Sequence, residues 1–381
     1  MELKAYRFDQ ITVNFDRKRV PLSGAQRERR RGNYRYYGAQ GVIDYVDDYI
    51  FDGTYLLIAE DGENLKSKKQ NIAQIATGQF WVNNHAHIVQ GNDLCDTRYL
   101  CYLLNSMDLS GYITGSAQPK LSQGNLNAVT VMLPDVSTQK RIVDYLYAID
   151  RKIENNDRIN DNLQQQAQTL FSEYFCLHSD DPIPDGWTLV SLGDVASISN
   201  KSFNPLKQPE TMLEHYSIPA FDETRYPVFE LTTEIKSNKF IVDADCFMIS
   251  KLNPTTKRVW RPYCMTDNAV CSTEFIVYKA KDRKLTDFLY SLIDSAAFSD
   301  FMCSHVTGST GSRQRTTPSD TLQYQFYMPS EGEVAEFSAI VAPMYEQIRV
   351  NAIENARLKT LRDTLLPRLI SGEIDVSDID I

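Results

Sequence analysis

The feature that most constrains the fold of this chain is an apolar seam that occurs twice. Apolar positions step by three and four through residues 137–175, and the same stepping returns after Pro329. Such a seam is typical of long helices that pack as a coiled coil. All members of the second seam except Leu369 lie 195 positions after an apolar position of the first; the two sets are Ile142, Leu146, Ile149, Ile153, Leu163, Ala167 and Leu170, then Phe337, Val341, Met344, Ile348, Leu358, Leu365 and Leu369.

The repeat extends into the strand-rich stretches that precede each seam. The phrase at 49–59 aligns with that at 240–250, and Thr-Gly-Ser at 114–116 with the same tripeptide at 307–309. The sequence therefore predicts an α+β protein with a pseudo-two-fold internal repeat, in which two strand-rich mixed domains are separated by two long antiparallel coiled-coil helices. The predicted segments are a first domain at 1–136, a first helical spacer at 137–177, a second domain at 178–329, a second helical spacer at 330–371 and an acidic C-terminal tail at 372–381.

Asparagine interrupts both seams at matched places. These residues are Asn156 and Asn160 in the first helix and Asn351 and Asn355 in the second. Because the centres of an antiparallel pair meet, the four side chains are expected to hydrogen-bond to one another and fix the register of the helices. The alternative is that the seam rotates and leaves them solvated. Pro343 should kink the second helix or mark its start.

Missing motifs exclude several classes of enzyme. The chain has no phosphate-binding GxxxxGK[ST] loop, no GxGxxG turn, and no Asn-Pro-Pro-aromatic phrase of a base methyltransferase. His85 and His87 could share a strand face and hold a metal, but ordinary packing or surface roles explain them better. We expect no catalytic residues, metal or cofactor. No apolar run is long enough for a membrane span, and we expect a cytoplasmic protein without a membrane partner.

A net charge of −10 over 381 residues argues against a surface that binds nucleic acid throughout, but a local basic patch remains possible. The segment at 26–38 interleaves arginine with tyrosine, and arginine binds phosphates and the guanine edge. It predicts DNA contacts from Arg27, Arg29, Arg30, Arg31, Tyr34, Arg35 and Tyr36. A solvated run of charges is the alternative.

Polar and basic loops at matched places in both domains favour the DNA-binding interpretation. In the first domain the predicted contacts are Gln118, Lys120, Ser122 and Gln123. In the second domain they are Lys251, Lys257, Arg258, Arg261, Arg313 and Arg315.

Several long phrases resemble the specificity subunit of type I restriction–modification systems. They are YRYYGAQGVIDYVDDYIFDGTYLLIAEDG, VNNHAHI, TGSAQPKLSQGNL ahead of LPDVSTQKRIVDYLYAIDRKIENNDRIN, and LRDTLLPRLISGEI, and the resemblance covers nearly the whole chain. It implies two target recognition domains that each read one half of a bipartite double-stranded DNA sequence, and helical spacers between them. It also implies two modification (methyltransferase) subunits and restriction (translocase and nuclease) subunits as partners. The second domain departs from the pattern, with HYSIPAF in place of a YYGA-type phrase.

Two other functions stay open at this point. One is a DNA methyltransferase or nuclease that acts alone, and the other is a coiled-coil scaffold that binds no DNA. Turnover by the isolated chain would favour the first, and DNA binding that ignores salt would favour the second, because phosphate neutralisation releases counterions.

Overall fold

The computed structural model describes residues 2–67, 70–115, 118–177, 182–307 and 314–376. Its strands are β1 Lys4–Arg7, β2 Thr12–Asn14, β3 Arg31–Gly38, β4 Gly41–Val46, β5 Phe51–Ala59, β6 Ala73–Val82, β7 Ala86–Gly91, β8 Thr130–Leu133, β9 Thr188–Ser191, β10 Ala196–Ile198, β11 Ser202–Phe203, β12 Met212–Tyr216, β13 Val228–Leu231, β14 Lys239–Ile241, β15 Cys246–Ser250, β16 Val259–Trp260, β17 Ala269–Ser272, β18 Phe275–Ala280, β19 Val306–Thr307, β20 Arg315–Thr316 and β21 Gln325–Met328. Its α-helices are α1 Phe8–Ile11, α2 Gly24–Arg29, α3 Asn64–Ser67, α4 Thr97–Ser106, α5 Gln123–Ala128, α6 Val136–Phe175, α7 Leu192–Val195, α8 Ile218–Thr224, α9 Thr286–Ile293, α10 Ala296–Ser304, α11 Pro318–Thr321 and α12 Glu331–Ile370. Short 3-10 helices lie at Asp16–Lys18, Ser110–Tyr112, Pro205–Lys207 and Arg283–Leu285.

The chain has the predicted α+β fold and divides into two compact units. The first unit contains Met1–Arg151 and Leu358–Ile381, and the second contains Lys152–Arg357. Both boundaries fall inside the long helices α6 and α12, so each unit holds one strand-rich domain and a part of both helices.

The first unit is built on a sheet with the strand order β2-β7-β5-β6-β3-β4. Within it β3 runs parallel to β6, while β5 is antiparallel to both β6 and β7. The buried core lies between this sheet, α4, the beginning of α6 and the end of α12, and includes Leu56, Leu100, Leu104, Ile142 and Leu369. β3 and the edge strand β4 thus lie at the end of the sheet opposite to β2.

The second unit contains a sheet ordered β10-β18-β15-β16 and another ordered β11-β14-β17-β12-β13. The parallel pair here is β12 with β17. Aromatic residues dominate the core between the first sheet and the helices: Phe247, Phe288, Phe171 from α6, and Phe337 from α12. The rings of Phe171 and Phe288 lie 5.4 Å apart at their centroids, within the usual range for aromatic contact.

The same order of elements opens and closes both domains. β1, α1 and β2 follow one another in the first domain as β9, α7 and β10 do in the second. β1 pairs with β8, the strand that enters α6, and β9 pairs with β21, the strand that enters α12. Each strand-rich domain is thus closed by pairing its first strand with the strand that leads into a long helix.

Capping residues explain where the two 40-residue helices begin. Asp135 accepts a hydrogen bond from the backbone N–H of Thr138, and Ser330 and Glu333 cap each other's backbone. Pro343 lies inside α12 and does not mark its start. At 1.5 Å per residue each helix is about 60 Å long.

Candidate nucleic-acid interface

The arginine-rich segment of the first domain is divided between a short helix and a strand. Ser23 accepts a hydrogen bond from the backbone N–H of Gln26 and begins α2, which carries Arg27 and Arg29. β3 then carries Arg31 and Arg35, with the tyrosines between and beside them. The capped turn therefore separates the arginines into groups with different surroundings.

Arg27 and Arg30 attach α2 to the sheet. The Nε atom of Arg27 donates to Asp44 at 2.8 Å, and its guanidinium lies 5.2 Å from the ring centroid of Tyr36. Arg30 donates to Asp47 at 2.9 Å and lies 4.9 Å from the ring of Trp81. The hydrogen bond from Arg27 lowers the pKa of the Asp44 carboxyl. Both arginines already have anionic and aromatic partners, so their charge is partly neutralised.

Arg29, Arg31 and Arg35 carry the accessible positive charge of this segment. All three are exposed. Within the described ranges, Arg29 and Arg31 have no carboxylate within 4.0 Å. Tyr34 is half-buried against Tyr49, with ring centroids 5.1 Å apart. An arginine without an acidic neighbour keeps its full charge for a phosphate or a guanine edge.

Tyr36 requires a correction to the sequence-based expectation. Its side chain has no exposed surface. The hydroxyl oxygen accepts a hydrogen bond from the backbone N–H of Leu22 at 2.9 Å. Tyr36 therefore holds the segment before α2 and supports Arg27, and in this conformation it can act on DNA only through the residues that it positions.

The polar loop of the first domain folds back on the end of β5. Lys120 forms an isolated β-bridge with Asp61, and its ammonium lies 3.2 Å from Glu60. Gly115 has a φ of +86°, and a Cβ atom there would lie 2.3 Å from the carbonyl oxygen of Gln118. This close approach explains why glycine stands at that point of the loop.

The candidate contacts on this loop have different environments. Gln118, Lys120 and Gln123 are exposed. Ser122 is half-buried, and its hydroxyl caps α5 by accepting from the backbone N–H of Asn125 at 3.2 Å. Ser122 therefore has a structural role at the start of α5, whereas Gln118 and Gln123 are exposed and Lys120 is exposed but paired with Glu60.

The loop of the second domain is attached in the same way. Arg315 forms an isolated β-bridge with Leu252, and the backbone N–H of Thr316 donates to Lys251. In the first domain the backbone N–H of Leu121 donates to Glu60. Arg315 also makes two hydrogen bonds of 3.0 Å to Glu274, and the half-buried Lys251 precedes the bridge. Arg313 lies outside the described residues.

The other basic residues of the second domain form ion pairs. Lys257 lies 2.8 Å from Asp294, Arg258 donates twice to Asp222, and Arg261 pairs with Asp287. The acidic partners lie 26 to 37 positions away in the sequence. The sequence identified these cations but not the carboxylates that fold against them.

An exposed apolar strip beside the arginines was missed by the sequence analysis. It lies on the edge strand β4, where Ile43 is 53% and Tyr45 51% exposed. Tyr45 pairs with Arg35 in the antiparallel register of β3 and β4. This edge of the sheet therefore combines arginine side chains with exposed apolar side chains. The alternation of residue types over 41–46 is the sequence pattern that could have predicted the exposed apolar side chains.

The two histidines of the His-x-His motif contact different carboxylates. His85 contacts Asp61 at 2.8 Å, and the buried His87 contacts Asp16 at 2.6 Å. No group of three metal-ligating side chains occurs among the residues that the structure describes. The two rings are thus bound to different carboxylates.

The four seam asparagines meet in the second unit. Asn156 donates to Asn355 at 2.9 Å, and Asn351 donates to Asn160 at 2.8 Å. Asn156, Asn351 and Asn355 are at most 4% exposed, so these three are not solvated. Because the lower-numbered residue of α6 meets the higher-numbered residue of α12, the two segments run antiparallel here.

A family model described as the type I restriction modification DNA specificity domain matches residues 10–165. The MjaIX type I restriction enzyme specificity subunit of Methanocaldococcus jannaschii is 25% identical over 91% of this chain and 85% of its own length. The chain is therefore similar to type I restriction specificity subunits, and its match to the family model spans residues 10–165. A specificity subunit of Haemophilus influenzae is 34% identical over 37% of this chain, and that match spans 36% of the relative's length.

The fold of the chain also matches a solved structure. The S subunit of a type I restriction–modification system from M. genitalium superposes with a TM-score of 0.63 at 14% identity, over 97% of this chain and 96% of that one. None of the helices in the described part of the chain is both long enough and apolar enough to cross a membrane.

Proposed function

We propose that this chain is the DNA-recognition subunit of a type I restriction–modification complex. Each strand-rich domain reads one half of a bipartite double-stranded sequence. The chain itself carries out no catalysis and holds two modification subunits and the restriction subunits. It acts in the cytoplasm, where its DNA target is accessible.

The observation that carries this proposal is the matched attachment of one cationic loop in each domain. Lys120 forms an isolated β-bridge just after the end of β5, and Arg315 forms one just after the end of β15. In both loops the residue after the cation donates its backbone N–H to the residue that precedes the bridge partner. A rigidly attached cation is suited to a phosphate or a base edge, because less side-chain and backbone freedom is lost on binding. Two such loops in one chain favour two half-sites.

The arginine segment supports the first half-site. Arg29 and Arg31 form no ion pair within 4.0 Å in the described part of the chain, and the charge of Arg31 acts on Asp44 at longer range by lowering the pKa of that carboxyl. A bidentate arginine contact to guanine contributes roughly 1–3 kcal/mol of discrimination, whereas a phosphate contact adds affinity for any sequence. In this proposal Arg29, Arg31 and Arg35 contact DNA directly, while Arg27, Arg30 and Tyr36 position them.

The second half-site depends on Arg315 and Lys251, with Arg313 as a further candidate contact. Lys257, Arg258 and Arg261 approach DNA as ion pairs with their aspartates, which weakens their attraction for phosphate. The helix pair keeps a fixed register through its asparagines and sets the distance between the half-sites.

The experiment is co-expression with the cognate modification subunit, followed by mapping of methylated bases in genomic DNA. We expect two short defined blocks with a fixed non-specific spacer between them. The isolated chain with duplex DNA, S-adenosylmethionine and Mg²⁺ is the control, and methylation or cutting by it would favour an enzyme that acts alone. An assembled complex whose DNA binding does not weaken as salt rises would favour a scaffold.

A further inference from the structure

His87 is buried between two hydrogen-bond acceptors. Its Nδ1 lies 2.6 Å from Asp16 Oδ2, and its Nε2 lies 2.8 Å from the carbonyl oxygen of Leu121. The side chain is 1% exposed, so water does not take either position. A carbonyl oxygen only accepts, and so does an ionised carboxylate. Both contacts can be hydrogen bonds at the same time only if each ring nitrogen carries a proton. The ring is then an imidazolium beside the ionised carboxylate of Asp16.

Loss of one proton would break one of these two links. If the remaining proton stayed on Nδ1, the lone pair of Nε2 would face the Leu121 carbonyl oxygen. If it stayed on Nε2, the lone pair of Nδ1 would face the Asp16 carboxylate. Either arrangement leaves a buried pair of acceptors in contact, which is costly.

The charged groups around the ring favour the imidazolium. Asp16 accepts from the backbone N–H of Ile88 at 2.8 Å and lies 3.6 Å from Arg19, so it stays ionised. Glu60 lies 4.0 Å from Nδ1 of His87. That carboxylate is shared with Arg19 at 2.9 Å and Lys120 at 3.2 Å. Two residues along the chain, His85 is paired with Asp61.

The pKa directions agree with this geometry. Burial alone lowers the pKa of His87 and is the largest single influence. The hydrogen bonds to Asp16 and Leu121 and the charges of Asp16 and Glu60 outweigh it, so the pKa is raised above its ordinary value. A raised folded-state pKa contributes stability that is complete below the unfolded value and is lost as pH rises through the folded value.

Leu121 is the point at which the ring reaches the candidate DNA-binding loop. It follows Lys120 directly, and its own N–H donates to the carbonyl oxygen of Glu60 at 2.8 Å. In the second domain the corresponding strand is β18, which contains no histidine. Glu274 directly precedes this strand, and Ile276 lies two positions further on. Among the residues that the structure describes, the loop of Arg315 therefore has no link of this kind to a histidine.

We propose that His87 is a positioning residue for recognition of the first half-site: held between Asp16 and the Leu121 carbonyl, it fixes the loop that presents Lys120 to DNA. This inference rests on the proposed function of the chain. It predicts that the first half-site is recognised less well at alkaline pH, while the second half-site is unaffected by titration of this ring.

Two variants separate the hydrogen bonds of the ring. In His87→Gln the amide nitrogen can reach the position of Nε2 and donate to Leu121 without titrating. In His87→Asn the amide lies near the position of Nδ1 and cannot reach the loop. His85→Asn, at the exposed neighbouring histidine, is the matched control. Circular dichroism first establishes that each variant is folded.

The first measurement uses the full chain without DNA. Ring nitrogen shifts followed by NMR should show His87 doubly protonated above the pH at which an ordinary histidine has lost its charge. Hydrogen exchange, corrected for its intrinsic pH dependence, should show the Leu121 amide about tenfold less protected in folded His87→Asn, but protected in His87→Gln and His85→Asn. A ring that loses its charge at or below the pH at which an ordinary histidine does, or unchanged Leu121 protection in His87→Asn, would overturn the link.

The second measurement uses the complex with the modification subunit and a library of duplexes with randomised positions, selected at one pH below and one above that at which NMR shows His87 to lose its charge. For the wild type, enrichment of the first block should fall about tenfold at the higher pH while the second block is retained. His87→Gln should remove that difference, and His87→Asn should lose the first block at both values. Equal enrichment of both blocks by His87→Asn would contradict a role in recognition. If the wild type enriched no sequence, the proposed function would fail, and the NMR and exchange results would still decide the link to the loop.

Discussion

The two strand-rich domains share a frame but distribute their charges differently. In both, a cationic loop bridges back to the end of a strand, through Lys120 or Arg315. In the first domain Arg29 and Arg31 are exposed and form no ion pair within 4.0 Å, as far as the described residues go. In the second, Arg258 and Arg261 are paired with aspartates. The shared frame places a cationic loop at the same point of both domains, whereas the pairing of side chains around the basic residues differs between them.

The largest effect should come from lengthening the two long helices, because this changes where both domains are placed. One heptad added after Arg158 and one after Ile353 keep the apolar seam in phase and lengthen the pair by about 10 Å. We expect methylation at all original sites to be lost and sites with a spacer longer by about one to three base pairs to appear, with both half-sites unchanged.

Circular dichroism must first show intact helix in the insertion variant, since the inserted residues separate Asn156 from Asn160 and Asn351 from Asn355. A folded, partner-bound variant that still methylates the original spacer would show that the helices do not set the distance.

The next effect is specific to the first domain. Arg29→Ala with Arg31→Ala should weaken DNA binding by the complex and reduce the salt slope by about two, because two phosphate contacts are lost. Arg258→Ala is the matched control, and its smaller change reflects a charge already paired with Asp222. Titrations at several salt concentrations measure both. If the double variant and the control gave equal slopes, the first-domain arginines would be an ordinary solvated surface.

A smaller effect should distinguish the two loops. Lys120→Ala should reduce enrichment of the first block, and Arg315→Ala that of the second, each by a factor of about ten if the residue contacts a base. Selection from the randomised duplex library measures both in one experiment. If either variant altered both blocks, the loops would not belong to separate half-sites.

The smallest effect is expected in the helix register. Asn156→Leu with Asn355→Leu replaces a buried polar pair with apolar side chains, which should leave the melting temperature unchanged or raised. The register should become less specific, so methylation mapping should show a mixed spacer while both half-sites persist. A variant with lower stability and a single spacer would contradict the assigned role of the asparagines.

The long helices and their asparagines were predictable because a helix repeats its surface every three to four residues. The starting residues of α6 and α12 follow from the local caps at Asp135 and Ser330. The surroundings of the arginines were not predictable in the same way. The partners Asp44 and Asp222 lie 17 and 36 positions away, and only the folded sheet brings them to Arg27 and Arg258.

The burial of Tyr36 was missed for a related reason. Alternating arginine and tyrosine in a strand predicts one exposed and one buried face, but it does not say which faces are covered. In the structure Tyr36 and Tyr37 are both buried at the end of β3, because the strand is covered on two sides there. The link from His87 to Leu121 likewise joins residues that are 34 positions apart.

Exchange of one domain tests the central claim most directly. Residues 1–134 are replaced by the matching segment of another specificity subunit, the chimera is co-expressed with the modification subunit, and methylated bases are mapped. The account predicts that one block of the target changes to that of the donor while the other block stays the same. A folded, assembled chimera that changed or lost both blocks would contradict recognition of one half-site by each domain.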